Sequence, residues 1–86
     1  MDNRVALMAI IVEERDSVKE LNDLLHEYGD HIIGRMGIPY HKRGISVLSV
    51  ALDAPNNVIS SLSGKIGKLS GVSIKTAYSN VGDANG

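Results

Sequence analysis

The first third of the chain combines two different spacings of apolar residues. Residues 5–12 form a continuous apolar run rich in β-branched side chains, which is typical of a strand buried on both faces. After a charged turn, apolar side chains recur at helical spacing until Gly29, and Ser17 with Glu20 matches an S-x-x-E capping box. The pattern predicts a strand followed by an amphipathic helix of about three turns.

The middle of the chain predicts a β-hairpin. Residues 32–40 alternate, with Ile32 and every second residue after it on one face and Arg35 and Pro39 on the other. A charge and a proline favour an edge strand, because proline cannot donate to a ladder. A polar turn at 41–44 leads into residues 45–52, a second apolar run typical of a strand buried on both faces.

A second helix and a last strand complete the predicted elements. The helix is expected to start with Asp53 or Ala54 at the cap and Pro55 in its first turn. Its apolar stripe consists of Ile59, Leu62, Ile66 and Leu69. Residues 71–78 alternate as a strand, and residues 80–86 are a polar tail that we expect to be disordered.

The order of elements indicates an α+β fold. Residues 5–18 resemble residues 45–58 in their hydrophobic pattern, as two βαβ halves would. With right-handed crossovers, strand-helix-strand-strand-helix-strand gives a ferredoxin-like, ACT-like βαββαβ two-layer sandwich with an antiparallel sheet. We expect one domain over residues 1–79, with the first and third strands central.

The two central strands predict self-association. In this fold both helices cover one face of the sheet, so a monomer should have a polar second face. Whichever way the first strand faces, it presents an apolar row on that second face, and the third strand does the same. An exposed patch of this kind marks an interface, so we expect a homodimer or homotetramer.

Composition excludes several classes of function. The 86 residues include no Cys, Trp or Phe, which excludes a disulfide scaffold, a thiolate metal site and a thiol nucleophile. A net charge of −1 and the scarcity of aromatic residues argue against direct binding of nucleic acid. The apolar run near the N-terminus is too short to span a bilayer, so we expect a cytoplasmic protein without membrane contact.

Charge is distributed unevenly along the chain. Residues 13–30 carry seven acids against two bases, and residues 31–75 carry six bases against one acid. The simpler interpretation is solvated helix and turn surfaces. The alternative is a molecule with an acidic and a basic side, suited to head-to-tail association or to an anionic ligand.

The candidate site chemistry is anion binding rather than catalysis or metal binding. No serine has the sequence context of a nucleophile, and we expect no enzyme activity, no catalytic residue and no metal ligand. His31 and His41 flank the second strand, roughly 33 Å apart, too far to share one ion within a protomer. One basic and polar cluster remains as a candidate ligand site: Arg35, Tyr40, His41, Lys42 and Arg43. It is either a solvated hairpin turn or the rim of an anion pocket in which Arg35 supplies a forked donor.

The chain resembles the iron-only hydrogenase system regulators. The segments that carry the resemblance are residues 25–29, 33–40, 44–47, 52–55 and 62–67, of which Gly34-Arg35-Met36-Gly37-Ile38-Pro39-Tyr40 is the most specific. The match extends over roughly residues 4 to 79. It implies a ferredoxin-like fold related to ACT domains and to the ligand-binding domain of the nickel-responsive regulator.

The resemblance implies a regulatory role but transfers no site. The nickel regulator uses a His-x-His pair where this chain reads Met36-Gly37-Ile38, and a cysteine that this chain lacks. ACT domains commonly bind amino acids at a glycine-containing turn, where residues 13–16 are charged here. No helix-turn-helix is present, so a transcriptional effect would need a separate DNA-binding protein partner. We therefore expect an oligomeric regulator that senses an unidentified small ligand and has no known cofactor; the alternative is a ligand-independent assembly or protein-interaction module.

Overall fold

The computed structural model describes residues 3–79 and confirms the predicted order of strands and helices. The elements are β1 (Asn3–Val12), α1 (Ser17–Glu27), β2 (Ile32–Tyr40), β3 (Ile45–Pro55), α2 (Asn56–Gly67) and β4 (Val72–Tyr78). One 3-10 turn, Gly29–His31, joins α1 to β2. The predicted disordered tail, residues 80–86, lies outside the described residues.

The four strands form an antiparallel sheet in the order β2-β3-β1-β4. Strands β1 and β3 are central and β2 and β4 are the edges, as their apolar patterns predict. Both helices contribute to a single core on one face of the sheet, which gives the ferredoxin-like βαββαβ two-layer sandwich.

The core lies between the helices and one face of the central strands. On β1 and β3 every second residue is buried, and the helices contribute the rows that face them. The buried core residues are Ala6, Met8, Ile10, Val12, Leu21, Leu25, Leu48, Val50, Leu52, Ala54, Ile59, Leu62 and Ile66. The periodicities that predicted the strands and helices are thus the periodicities of burial.

Neither of the described helices covers the other face of the sheet, which we call the open face. Cross-strand register assigns to it Val5, Leu7, Ala9, Ile11, Gly34, Met36, Ile38, Tyr40, Ile45, Val47, Ser49, Ala51, Asp53, Ser73, Lys75 and Ala77. Six large apolar side chains on it keep between 41% and 61% of their surface exposed: Val5, Leu7, Ile11, Met36, Ile38 and Tyr40. The structure therefore shows the apolar second face that the strand pattern predicts.

Both helices begin differently from the sequence prediction. Ser17 is 2% exposed, and its hydroxyl donates to the carbonyl of Ser70 at 2.6 Å, so it does not cap α1. Asp16 takes the cap position without a side-chain hydrogen bond, and the predicted capping box is wrong. Strand β3 continues through the buried Ala54, which moves the cap of α2 to Pro55.

A β-bulge interrupts the predicted alternation of β2. The register shifts between Ile32 and Gly34, which leaves Ile33 as an extra residue that is 64% exposed. Ile32 therefore packs against the core, and the prediction that it shares a face with Gly34 is wrong. From Gly34 onward the strand alternates as expected.

Candidate ligand-binding cleft

A cleft lies between the start of α1 and the β2–β3 hairpin. Its outer part has a volume of about 500 Å³ and its inner part about 200 Å³. The two parts share four lining residues, Val12, Val18, Pro39 and Ser46, and so form one continuous cleft. Its combined size suits a small metabolite rather than a macromolecule.

The sheet register explains why the cleft opens at this place. Val12 is the last residue of β1 and pairs with Ser46, which in turn pairs with Pro39 of β2. These three neighbours form a floor across three strands at the end of the sheet where α1 begins. The edge strand β2 lies beyond the helix layer, so every residue of β2 after Ile32 is exposed and the space beside it stays open.

The turn between β1 and α1 forms one wall and is tied firmly to the turn before β4. The Glu13 amide donates to the carbonyl of Gly71 at 2.7 Å, and the Ser70 hydroxyl donates to the carboxylate of Glu14 at 3.0 Å. The buried Ser17 hydroxyl donates to the carbonyl of Ser70 just beyond. These bonds fix the backbone on both sides of Arg15, whose side chain lines the outer part of the cleft.

The opposite wall is the hairpin, and Arg35 joins it to α1. The Arg35 guanidinium donates to the Asn22 side-chain oxygen at 3.0 Å, which holds it over the inner part of the cleft. His41, at the start of the hairpin turn, lines the outer part. The hairpin therefore supplies one basic side chain to each part of the cleft.

The electrostatic character of the cleft is positive. Three basic side chains line it, Arg15, Arg35 and His41, and the described lining contains no Asp or Glu. Apolar side chains such as Val18, Leu21 and Leu48 make up most of the remaining surface. This combination suits a small anion with an apolar body, because a guanidinium binds carboxylate and phosphate groups in forked pairs.

The structure separates the five residues of the predicted basic cluster. Arg35 and His41 line the cleft, whereas Tyr40 belongs to the open face on the other side of the sheet. Lys42 and Arg43 lie in the exposed turn beyond His41 and do not line the cleft. The candidate set is thus divided between two faces of the sheet and a turn.

Sequence reasoning missed Arg15 and Asn22. Arg15 stands in an acidic run and Asn22 on the polar side of a helix, where both read as ordinary solvated residues. Only the packing of α1 beside β2 brings them to the cleft. The alternation of β2 was the one available signal, since it places Arg35 on the side of the sheet that faces the helices.

A second, shallower groove of about 360 Å³ runs between the two helices. Acids of α1 line one side and Lys65 and Lys68 of α2 line the other, with Leu24 and Leu69 between them. Lys65 lies 5.1 Å from the centroid of the Tyr28 ring, and a hydrogen bond with this ammonium lowers the pKa of the Tyr28 phenol. The same contact raises the pKa of Lys65. The groove contains acids as well as bases and is not selective for anions.

The described residues contain neither a metal-binding cluster nor a membrane-spanning helix. Between residues 3 and 79, no group of three or more His, Asp or Glu side chains is placed to hold a metal ion. Over the same residues, neither helix is long and apolar enough to cross a membrane.

Comparison of the sequence with protein families gives one match over most of the chain. Residues 4–76 match the family described as "TM1266-like: Iron-only hydrogenase system regulator, putative". No curated protein matches the sequence.

Three solved structures are similar to this chain. The uncharacterized protein TM1266 from Thermotoga maritima is 31% identical, with a TM-score of 0.85 over 88% of this chain and 96% of its own. The nitrogen regulatory PII-like protein CPII from Thiomonas intermedia K12, in its apo form, is 13% identical, with a TM-score of 0.60 over 95% of this chain and 96% of its own. A formyltetrahydrofolate deformylase from Pseudomonas putida KT2440 is 10% identical, with a TM-score of 0.65 over 90% of this chain but only 29% of its own. The last two show the fold alone.

Proposed function

The chain belongs to the TM1266-like family of iron-only hydrogenase system regulators, and from that premise we propose that it is a homo-oligomeric regulatory module that senses a small anion. The anion binds in the cleft between α1 and the β2–β3 hairpin. The observation that carries the proposal is the lining, which combines three basic side chains with apolar walls and no described acid.

The roles of the lining residues follow from their positions. Arg35 binds the anionic group of the ligand, because its guanidinium is already oriented by Asn22 and keeps further donors free. Arg15 adds positive charge at the outer part of the cleft, and His41 adds an imidazole that can hydrogen-bond the ligand. Lys42 and Arg43, in the adjoining turn, raise the local concentration of anions without binding them directly.

The module acts through another protein and has no catalytic role of its own. Ser46 and His41 both line the outer part of the cleft, but no hydrogen bond joins them, and the described lining contains no pair of carboxylates. The arrangements that catalysis of acyl or glycosyl transfer requires are therefore not assembled. The described helices form one layer over a sheet, and none is presented as a recognition helix of a helix-turn-helix. An effect on transcription therefore passes through a separate DNA-binding protein in the cytoplasm.

A thermal-shift experiment tests the ligand proposal. Each probe, namely inorganic phosphate, acetate, glutamate and AMP, is added at matched ionic strength and the Tm is measured. At ten times its Kd a ligand stabilises the folded state by about 1.4 kcal/mol, which raises the Tm of a domain of this size by roughly 6–11 °C. We expect at least one probe to produce such a shift.

Matched variants locate the binding site. Arg35→Gln should abolish the shift, because it removes the forked donor, whereas Lys68→Gln removes the same charge on the helix layer and should leave the shift intact. A Tm shift of the same size in Arg35→Gln would contradict the assignment of the cleft as the binding site. If none of the four probes shifts the Tm of the wild-type protein, small-anion sensing of this kind is rejected.

The open face supports a second candidate, a protein-interaction module without a ligand. Six large apolar side chains on one surface favour contact with protein in either case. The two candidates differ in their response to metabolites. A partner protein whose binding is unchanged by the probes and by Arg35→Gln would favour the ligand-independent module.

A further inference from the structure

Strand β2 belongs to two surfaces at once. From Gly34 onward, its residues alternate between the open face, where Met36 lies, and the cleft, where Arg35 and Pro39 lie. Ile38 belongs to both surfaces, because the register places it on the open face and it also lines the inner part of the cleft. Whatever covers the open face therefore contacts the back of the strand that lines the cleft.

The support for β2 within one protomer is one-sided. The strand pairs with β3 along one edge, and Arg35 connects it to α1 through Asn22. All its residues after Ile32 are exposed, and Met36 and Ile38 keep 61% and 50% of their surface in solvent. A strand with so little burial belongs to the low-stability part of a fold.

The dimensions of the open face suit a second copy of this chain. Four strands spaced about 4.8 Å apart and about 25 Å long present roughly 480 Å² per copy, before any allowance for side-chain relief. Two copies together bury roughly 1,000 Å², which is about the minimum for a biological interface.

The charges of the open face also favour a second copy. Within the described strands, the register places only two charged residues there, Asp53 and Lys75. Their signs are opposite, so the face is neutral and two copies do not repel each other. A highly charged partner would find no complement on this surface, whereas an identical apolar face would.

We infer that two copies pack open face to open face, and that this contact fixes β2 and so completes the wall of the cleft. The inference rests on the proposed function in taking the chain as a homo-oligomer and the cleft as the ligand site. The partner copy acts on the cleft from behind, through Met36 on the open face and through Ile38, which lines both surfaces. Self-association is then a precondition of a well-ordered cleft and a place where binding can be regulated.

Sedimentation velocity over a range of protein concentrations tests the interface. We expect the wild-type protein to be dimeric or tetrameric. Lys75→Glu should raise the dissociation constant about tenfold or more, because it gives each face two negative charges. The double variant Asp53→Lys with Lys75→Glu should restore association by making the face neutral again.

Two further variants keep the test specific. Lys68→Glu makes the same charge change on the helix layer and should leave association unchanged. Leu7→Asp places a charge at the middle of β1 on the open face, where the side chain is 49% exposed, and should give a folded monomer by far-UV circular dichroism. A wild-type protein that stays monomeric assigns the open face to another occupant and overturns the inference. If the protein stays oligomeric with Lys75→Glu and with Leu7→Asp, it assembles through the edge strands of the sheet. This result would also overturn the inference.

Hydrogen exchange tests the effect on β2. At concentrations where the wild-type protein is associated, amides of residues 32–40 should exchange at least tenfold more slowly than in the Leu7→Asp monomer, while amides of α1 should not change. Equal exchange of β2 in both proteins would overturn the claim that association fixes the cleft. These measurements involve no ligand, so their failure is distinguishable from the failure of the thermal-shift experiment.

Discussion

Substitution of Gly71 and of Gly44 by alanine tests how closely the turn before β4 packs against the turn between β1 and α1. Both have left-handed backbone conformations, with φ of +69° and +67°. An alanine in this region costs about 1–2 kcal/mol relative to glycine, because its Cβ approaches the following carbonyl oxygen. The two substitutions to alanine therefore share one backbone cost.

The surroundings of the two glycines differ sharply. A Cβ at Gly71 would lie 2.5 Å from Cγ of Glu14, 2.8 Å from its Cβ and 3.0 Å from its backbone nitrogen. A Cβ at Gly44 would meet nothing within 4 Å. Overpacking of this kind adds about 1–3 kcal/mol. We expect Gly71→Ala to lower the free energy of unfolding by about 2–5 kcal/mol and Gly44→Ala by about 1–2 kcal/mol.

Urea unfolding followed by far-UV circular dichroism measures both losses, and the absence of Trp makes this the suitable probe. A domain of this length has about 4–13 kcal/mol of stability, so the larger loss is readily resolved. Removing the Glu14 side chain beyond Cβ, as Glu14→Ala in the Gly71→Ala background, should recover part of the loss. Equal losses for the two glycine variants would refute the close packing of Glu14 on Gly71.

Three further predictions concern single contacts. Ser17→Ala should lower the free energy of unfolding by about 1 kcal/mol, because it removes a buried hydrogen bond. The control Ser60→Ala, at an exposed position, should change the free energy of unfolding little. Equal effects of the two substitutions would contradict the role of the Ser17 hydrogen bond. The Thr76 hydroxyl is buried with no hydrogen-bond partner among the described residues. Thr76→Val should therefore raise the midpoint of urea unfolding by an amount equivalent to about 1 kcal/mol. A lower midpoint would show that the hydroxyl has a partner in solution. Lys65→Met should raise the pKa of Tyr28 toward 10.0, since the ammonium favours the phenolate; an unchanged tyrosinate absorbance titration would show that this contact is not maintained in solution.

The strand pattern was sufficient to predict the sheet because burial and sequence periodicity coincide. The two continuous apolar runs became β1 and β3, and the strands with charges or proline became the edges. The pattern left the direction of β1 open, since both of its rows are apolar. Packing decides it by placing Met8 and Ile10 beneath the helices and Leu7 and Ile11 on the open face.

The cleft was less accessible to prediction, because it depends on contacts between distant segments. Arg35 and His41 could be identified as candidates from the density of charge around the hairpin. Arg15 could not, since its position beside the hairpin follows from the hydrogen bonds of Glu13 and Glu14 to the turn before β4. Tyr40 was grouped with Arg35 by sequence proximity, and alternation along β2 separates them.

The hydrogen bonds of Ser17 show a similar limit. A serine three residues before a glutamate is a good capping signal, and the local sequence offers no reason to reject it. The competing acceptor, the carbonyl of Ser70, is brought to Ser17 by the tertiary fold. Local signals were reliable for the identity of elements and unreliable where a distant backbone group competed.

The order of the strands has a consequence for biosynthesis. Strand β1 pairs on one side with β3 and on the other with β4, which is the last of the described strands to be made. At about 5–20 residues per second, translation from the end of β1 to the end of β4 takes roughly 3–13 s. Throughout that time one edge of β1 has no neighbour from its own chain.

In a nascent chain in this state, the unpaired edge of β1 is available for pairing with strands of other molecules. Residues 5–12 are apolar on both faces, and an unpaired apolar edge attracts strands of other molecules. A ribosome stalled before residue 72 would display such an edge continuously. Synthesis of β4 is therefore the step that removes this hazard, and chaperones that act on this chain should bind before it.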